Sequence, residues 1–124
     1  RRMNHLATDL LALGLQPAEI EALPLCAAAG RLAATREAAV GALYVMEGST
    51  LGGQVIGKAL AEANWLPAGG LTYFNPYGER TGPMWRSFRD WAQMTTPLES
   101  HAAVSAGAQA TFETLHSWMA GQDA

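Results

Sequence analysis

Four glycines stand where a helix would ordinarily avoid them. In LYVMEGSTLGGQVIGK, residues 43–58, Gly48, Gly52, Gly53 and Gly57 interrupt an otherwise strongly helical pattern. Each costs about 0.8–1 kcal/mol relative to alanine in a helix interior, so the four together forfeit roughly 3–4 kcal/mol, a large share of a small domain's stability. The chain uses alanine freely elsewhere, so some gain must offset the loss. Positions 48 and 52 are i,i+4 neighbours, as are 49 and 53. Gly48, Ser49, Gly52 and Gly53 therefore form one face with almost no side chain on it. A neighbouring helix could pack closely there, a phosphate could be cradled, or a flat ligand could lie on the backbone. The phosphate reading is disfavoured, because no strand precedes the glycines and no Gly-Lys-Ser/Thr follows them. Paired glycines also let a helix bend or lose regular hydrogen bonds.

Composition narrows the remaining chemistry. The 124 residues are 49% apolar and 15% charged, enough for one domain with a real core. The single cysteine, Cys26, excludes an intramolecular disulfide and any multi-cysteine metal site within the chain. It suits a reducing compartment, so a cytoplasmic location is expected. A net charge of −3 argues against nucleic-acid binding through a broad basic surface. No apolar run reaches the length of a membrane span.

The elements that must position these residues are helical. Alanine is abundant, valine and isoleucine are scarce, and no stretch alternates long enough for a strand. Helices are expected over about residues 3–13, stopped by Gly14; 17–23, opened by Pro17 with Glu19 near its positive end; 35–64; 83–94; and 96–120, ending at Gly121. The last should begin with Thr96 as N-cap, Pro97 at N1 and Glu99 at N3. Residues 24–30 give no clear pattern. Residues 66–80, LPAGGLTYFNPYGER, read as an aromatic, turn-rich connection. The fold class is all-α, with the longest helix packed against the last.

The run Gly48-Ser49-Thr50-Leu51-Gly52-Gly53-Gln54-Val55 closely resembles the distal helix of haem oxygenases, particularly the bacterial biliverdin-producing group. Gly70-Leu71-Thr72-Tyr73-Phe74, Tyr77-Gly78, Met84-Trp85-Arg86-Ser87-Phe88 and Ala110-Thr111-Phe112-Glu113 match the group's pattern further along the chain. The resemblance covers about residues 31–119. It implies a multi-helical bundle in which a glycine-kinked distal helix lies over haem. The activity it implies is cleavage of haem to biliverdin, CO and ferrous iron, with O₂ and electrons from an external donor protein or reductase. A bare helix face suits that task, because it admits the macrocycle closely and leaves peptide groups and room for water beside the iron.

The resemblance makes Gly48, Ser49, Gly52 and Gly53 the catalytic wall. Ser49 stands where animal members carry a carboxylate, so its hydroxyl would hold a water that relays protons. Arg86 is the first choice for a haem propionate, ahead of Lys58 and Arg89; a solvated surface arginine is the plain alternative. Phe112, which shares a stripe with Leu115 and Met119, would wall the haem or simply fill the core. Tyr44, one turn before Gly48, would reach a propionate or a distal water, or be an ordinary buried tyrosine. Trp85, Phe88, Trp91, Tyr73 and Phe74 read mainly as core.

The family's iron ligand is a histidine upstream of the distal signature. His5 is the only upstream histidine, but its surroundings look like the segment just before the distal region. His116 is a comparably weak candidate, and His101 reads as exposed. The metal ligand is therefore left unassigned. The simplest expectation is that residues 1–124 are the later part of a longer haem oxygenase domain, which agrees with the opening Arg1-Arg2. A dimer could cover an exposed pocket wall, but no oligomeric state is indicated. Two rival readings remain: a non-catalytic haem- or bilin-binding module of the same fold, and an interaction domain whose glycine face packs on a partner helix.

Overall fold

A computed structural model describes residues 2–67 and 70–121. Arg1 and residues 68–69 of the expected aromatic connection lie outside the described residues. Among those described, the elements are five α-helices and three short 3₁₀ turns, with no strand. The helices are α1 (Arg2–Ala12), α2 (Pro17–Glu21), α3 (Arg36–Leu60), α4 (Thr81–Thr95) and α5 (His101–Ala120). The all-α expectation holds.

The chain divides into two compact units. One comprises residues 1–24 and 49–84, the other 25–48 and 85–124, so the boundary falls within α3 between Gly48 and Ser49. In the first unit α1 ends as its glycine requires. Gly14 adopts φ 104°, its N–H donates to Leu11, and the Leu15 N–H reaches back to the Leu10 carbonyl at 3.1 Å. Paired bonds of this kind satisfy carbonyls that a helix end would otherwise leave orphaned. A short connection leads to α2, where the Glu19 carboxylate accepts the Gln16 N–H at 2.9 Å. That bond satisfies a donor at the helix start.

The second unit is held by small residues. Thr35 caps α3, its hydroxyl accepting the Ala38 N–H at 3.1 Å. One turn into the helix, a Cβ on Gly41 would stand 2.5 Å from the Ala108 nitrogen and collide with the Val104 carbonyl. A Cβ on Gly107 would meet the Ala38 Cα at 2.7 Å. The main chains of α3 and α5 therefore touch where both sequences shed their side chains. Val40 and Val45 are buried on α3, and Thr111 is buried on α5 with its hydroxyl donating to the Gly107 carbonyl at 2.9 Å. The expected packing of the longest helix on the last one is present in this unit.

Of the boundaries that differ from expectation, three have a visible local cause. Helix α3 stops at Leu60, four residues early, in a turn where the Ala63 N–H meets the Leu60 carbonyl. Helix α4 starts at Thr81, whose hydroxyl donates back to Gly78 at 2.7 Å. The expected Thr96–Pro97–Glu99 cap of α5 does not form. Pro97 is extended (φ −66°, ψ 155°), Leu98–Ser100 make a 3₁₀ turn, and α5 begins at His101. A proline with that ψ lies outside the helix, so Glu99 is never three residues into it.

The glycine contacts generate a test. Gly107→Ala should lower stability by about 1–3 kcal/mol, because backbone rather than a flexible side chain stands in the way. Gly57→Ala, at a helical position with nothing within 4 Å of a new Cβ, should be neutral or stabilise by up to ~1 kcal/mol. Urea midpoints of the two variants measure the contrast.

Candidate functional site

The glycines of α3 do not form one uniformly bare face. A Cβ on Gly48, which is half-buried, would lie 3.3 Å from the Trp85 indole. Gly53 is buried, and a side chain there would run into the Phe74 carbonyl, with the Phe74 Cα only 3.3 Å away. Gly52 is exposed, with nothing within 4 Å of the position a Cβ would take. Of the four predicted wall residues, Gly52 alone presents main chain with no described protein group over its missing side chain. Ser49 is exposed beside it.

The helix stays α-helical from Arg36 to Leu60, straight through its glycines. Its exposed apolar side chains include Tyr44, Leu51 and Val55, with Val55 69% exposed. Leu51 and Val55 are four residues apart and Val55 is three from Gly52, so these two side chains border the main chain that Gly52 leaves bare. Large apolar groups on a face beside bare main chain make a surface suited to a flat, mostly apolar ligand.

Tyr44 lies within the second unit, its ring 5.3 Å from that of Trp85. The ordinary reading of a buried tyrosine is corrected: Tyr44 is 47% exposed. Trp85, Phe88 and Trp91 continue as a row along α4, each centroid 5.9 Å from the next, the first pair stacked and the second tilted. The Arg89 guanidinium carbon lies 5.9 Å from the Trp85 centroid. A cavity of about 280 Å³ opens here, lined by Val40, Tyr44, Arg89, Gln93, His101 and others. Arg86 is exposed one turn before Arg89 on the same helix.

Phe112 does not fill the core. It is 60% exposed and Met119 is 61% exposed. The buried and half-buried stripe of α5 runs through residues 104, 107, 108, 111, 114, 115 and 118. The expected stripe was rotated by one residue, because it followed the largest apolar side chains while the close α3–α5 contact selects the smallest. His101 and His116 are exposed, and His5 is half-buried on α1 with its carbonyl 3.2 Å from the Thr72 hydroxyl. Among the described residues, no group of three or more His, Cys, Asp or Glu side chains is placed to hold a metal ion.

The residues that sequence reasoning passed over are Asp9, Gly41 and Gly107. Asp9 stands three residues after Leu6 and beside Leu10, a carboxylate next to the apolar positions of α1, which is a readable signal. It is buried, and its carboxylate accepts three hydrogen bonds from Thr72 and Tyr73.

A family model described as "Heme oxygenase" matches residues 3–121. The chain belongs to the haem oxygenase family. It is 38% identical over 125 residues to a protein named "Heme oxygenase" from Xanthomonas campestris pv. campestris (strain 8004), an alignment covering 98% of this chain and 69% of that one. No solved structure matches. Like the all-α fold, the family resemblance drawn from the α3 glycines is borne out. No helix of this family member is long and apolar enough, among the described residues, to cross a membrane.

The two adjacent glycines should respond oppositely to a methyl group. Gly53→Ala should destabilise the chain by about 1–3 kcal/mol by displacing the Phe74 main chain. Gly52→Ala should leave the melting temperature unchanged or slightly raised. Thermal melts followed by circular dichroism distinguish them.

Proposed function

We propose that this chain cleaves haem oxidatively to biliverdin, CO and ferrous iron, using O₂ and electrons from an external donor protein or reductase. The observation that carries the reading is Gly52: an exposed helix-interior glycine whose missing side chain meets no described protein group, with Leu51 and Val55 exposed beside it, in a chain of the haem oxygenase family. Haem when bound supplies the redox chemistry; the protein supplies placement, exclusion of bulk water and protons.

The roles of the residues follow from their chemistry. Gly52 lets the macrocycle approach the α3 main chain, with Leu51 and Val55 offering apolar contact, while Gly48 makes room for the Trp85 ring. Ser49, exposed on the same helix, holds a water through its hydroxyl, and that water carries protons toward the reacting face. Gly53 serves the wall indirectly, by letting Phe74 seat against the helix. Arg86 pairs with a propionate, a charge-assisted contact that a neutral residue cannot replace. Tyr44 contributes a ring and a phenol, and Phe112 an exposed aromatic surface. The cytoplasmic setting suggested by the lone thiol of Cys26 belongs to this reading. The packing reading of small helix residues fits Gly41 and Gly107, which do meet another helix; it does not account for Gly52.

Hemin addition tests the proposal. The expected result is a sharp Soret band, followed on adding reductant and air by conversion to the biliverdin spectrum. A broad, weak band without turnover would mean a binding module, and no spectral change an interaction domain. Within the active protein, Ser49→Ala should slow conversion by about tenfold or more while leaving the Soret band in place. Arg86→Ala should weaken hemin binding by about tenfold, the worth of one charge-assisted contact, as read by titration.

A further inference from the structure

We propose that Asp9 is a positioning residue for the α3 segment that carries Gly52, acting through the loop that follows residue 69. The inference rests on the reading that this segment lies against haem. Asp9 sits on α1 and is 4% exposed. One carboxylate oxygen accepts the Thr72 N–H at 2.8 Å and the Thr72 hydroxyl at 2.6 Å; the other accepts the Tyr73 N–H at 2.7 Å. A buried carboxylate needs donors of this kind, and bonds to an ionised acceptor are stronger than neutral ones. Both oxygens are therefore committed to two consecutive residues of the loop.

The very next residue is Phe74, whose main chain occupies the space that a side chain at Gly53 would take. Four residues further, the Gly78 carbonyl accepts the Gln54 Nε2 hydrogen at 3.2 Å. The loop is thus pinned by Asp9 at residues 72 and 73, and it grips α3 at residues 53 and 54. One peptide separates the pinned end from the gripping end, so there is no slack between them. Gly52 is the immediate neighbour of the gripped pair. Gly78 itself adopts φ 57°, a conformation that turns the chain and that glycine tolerates best. Asp9, Thr72, Tyr73, Phe74, Gly53 and Gln54 all lie within one compact unit.

Amide hydrogen exchange on the full 124-residue chain, without haem, tests the coupling. Asp9→Asn keeps the side chain's shape but sets an NH₂ group against one of the donors. Exchange should accelerate about tenfold or more, the cost of losing a hydrogen bond to a charged group, both in peptides spanning 70–78 and in those spanning 49–57. Faster loop exchange with unchanged rates over 49–57 would overturn the proposal, making Asp9 a local loop anchor. Unchanged rates in both would overturn it as well. Should Asp9→Asn fail to fold, Thr72→Val removes one hydroxyl donor only and must show the same two-site acceleration, smaller in size. In the hemin-loaded chain, Asp9→Asn should shift the Soret maximum relative to wild type; an unshifted maximum counts against positioning. A wild-type chain that gives no Soret band defeats the haem reading itself, and the exchange result still decides whether Asp9 holds α3.

Discussion

Main chain meeting main chain, with no Cβ between, is the constraint on which this molecule depends. In one compact unit Gly41 and Gly107 bring α3 and α5 together backbone to backbone; in the other Gly53 receives the Phe74 carbonyl. Each contact exchanges helix propensity, about 1 kcal/mol per glycine, for an approach that no other residue permits. Gly14 and Gly78 answer a different need, a positive φ at a turn. With those positions accounted for, Gly52 and Gly57 remain in α3 as glycines whose missing side chain meets no described protein group; of the two, Gly52 is the exposed one, next to Leu51 and three residues before Val55. An apolar face with a gap in it, in a chain of the haem oxygenase family, supports reading the gap as room for a ligand.

The glycines therefore divide their labour along a single helix. Gly52 leaves main chain open beside Ser49. Gly53, one residue on and turned about a hundred degrees away, is fully committed to the loop. Neighbouring glycines in one sequence signature thus do unlike things, one leaving main chain open and one packed against the loop. Asp9 extends the scaffold a step further, because its carboxylate orders the loop before the loop touches the helix.

Much of this was legible in the sequence. Helix α1 with its glycine stop, the long glycine-bearing helix and the turn-rich connection follow from propensity and local punctuation. Family membership followed from the glycine string and its downstream companions. The errors came where a distant partner decides. Phe112 was placed on the packed stripe because it is large and apolar, whereas the α3–α5 contact favours Gly107 and Thr111, rotating Phe112 outward. Thr96, Pro97 and Glu99 spell a cap locally, yet the chain takes a 3₁₀ turn and starts its helix five residues after Thr96. Asp9 was missed because its partners stand more than sixty residues away, and Gly41 because a lone glycine in an alanine-rich helix looks incidental until the opposing Gly107 is seen.

The central claim is that a porphyrin lies against the Gly52 side of α3. Amide chemical-shift mapping with a diamagnetic stand-in, zinc protoporphyrin, reads this directly. The largest changes should fall on Ser49 and Gly52, with Gly57 little affected. Changes confined to other helices, or none at saturating porphyrin, would contradict it.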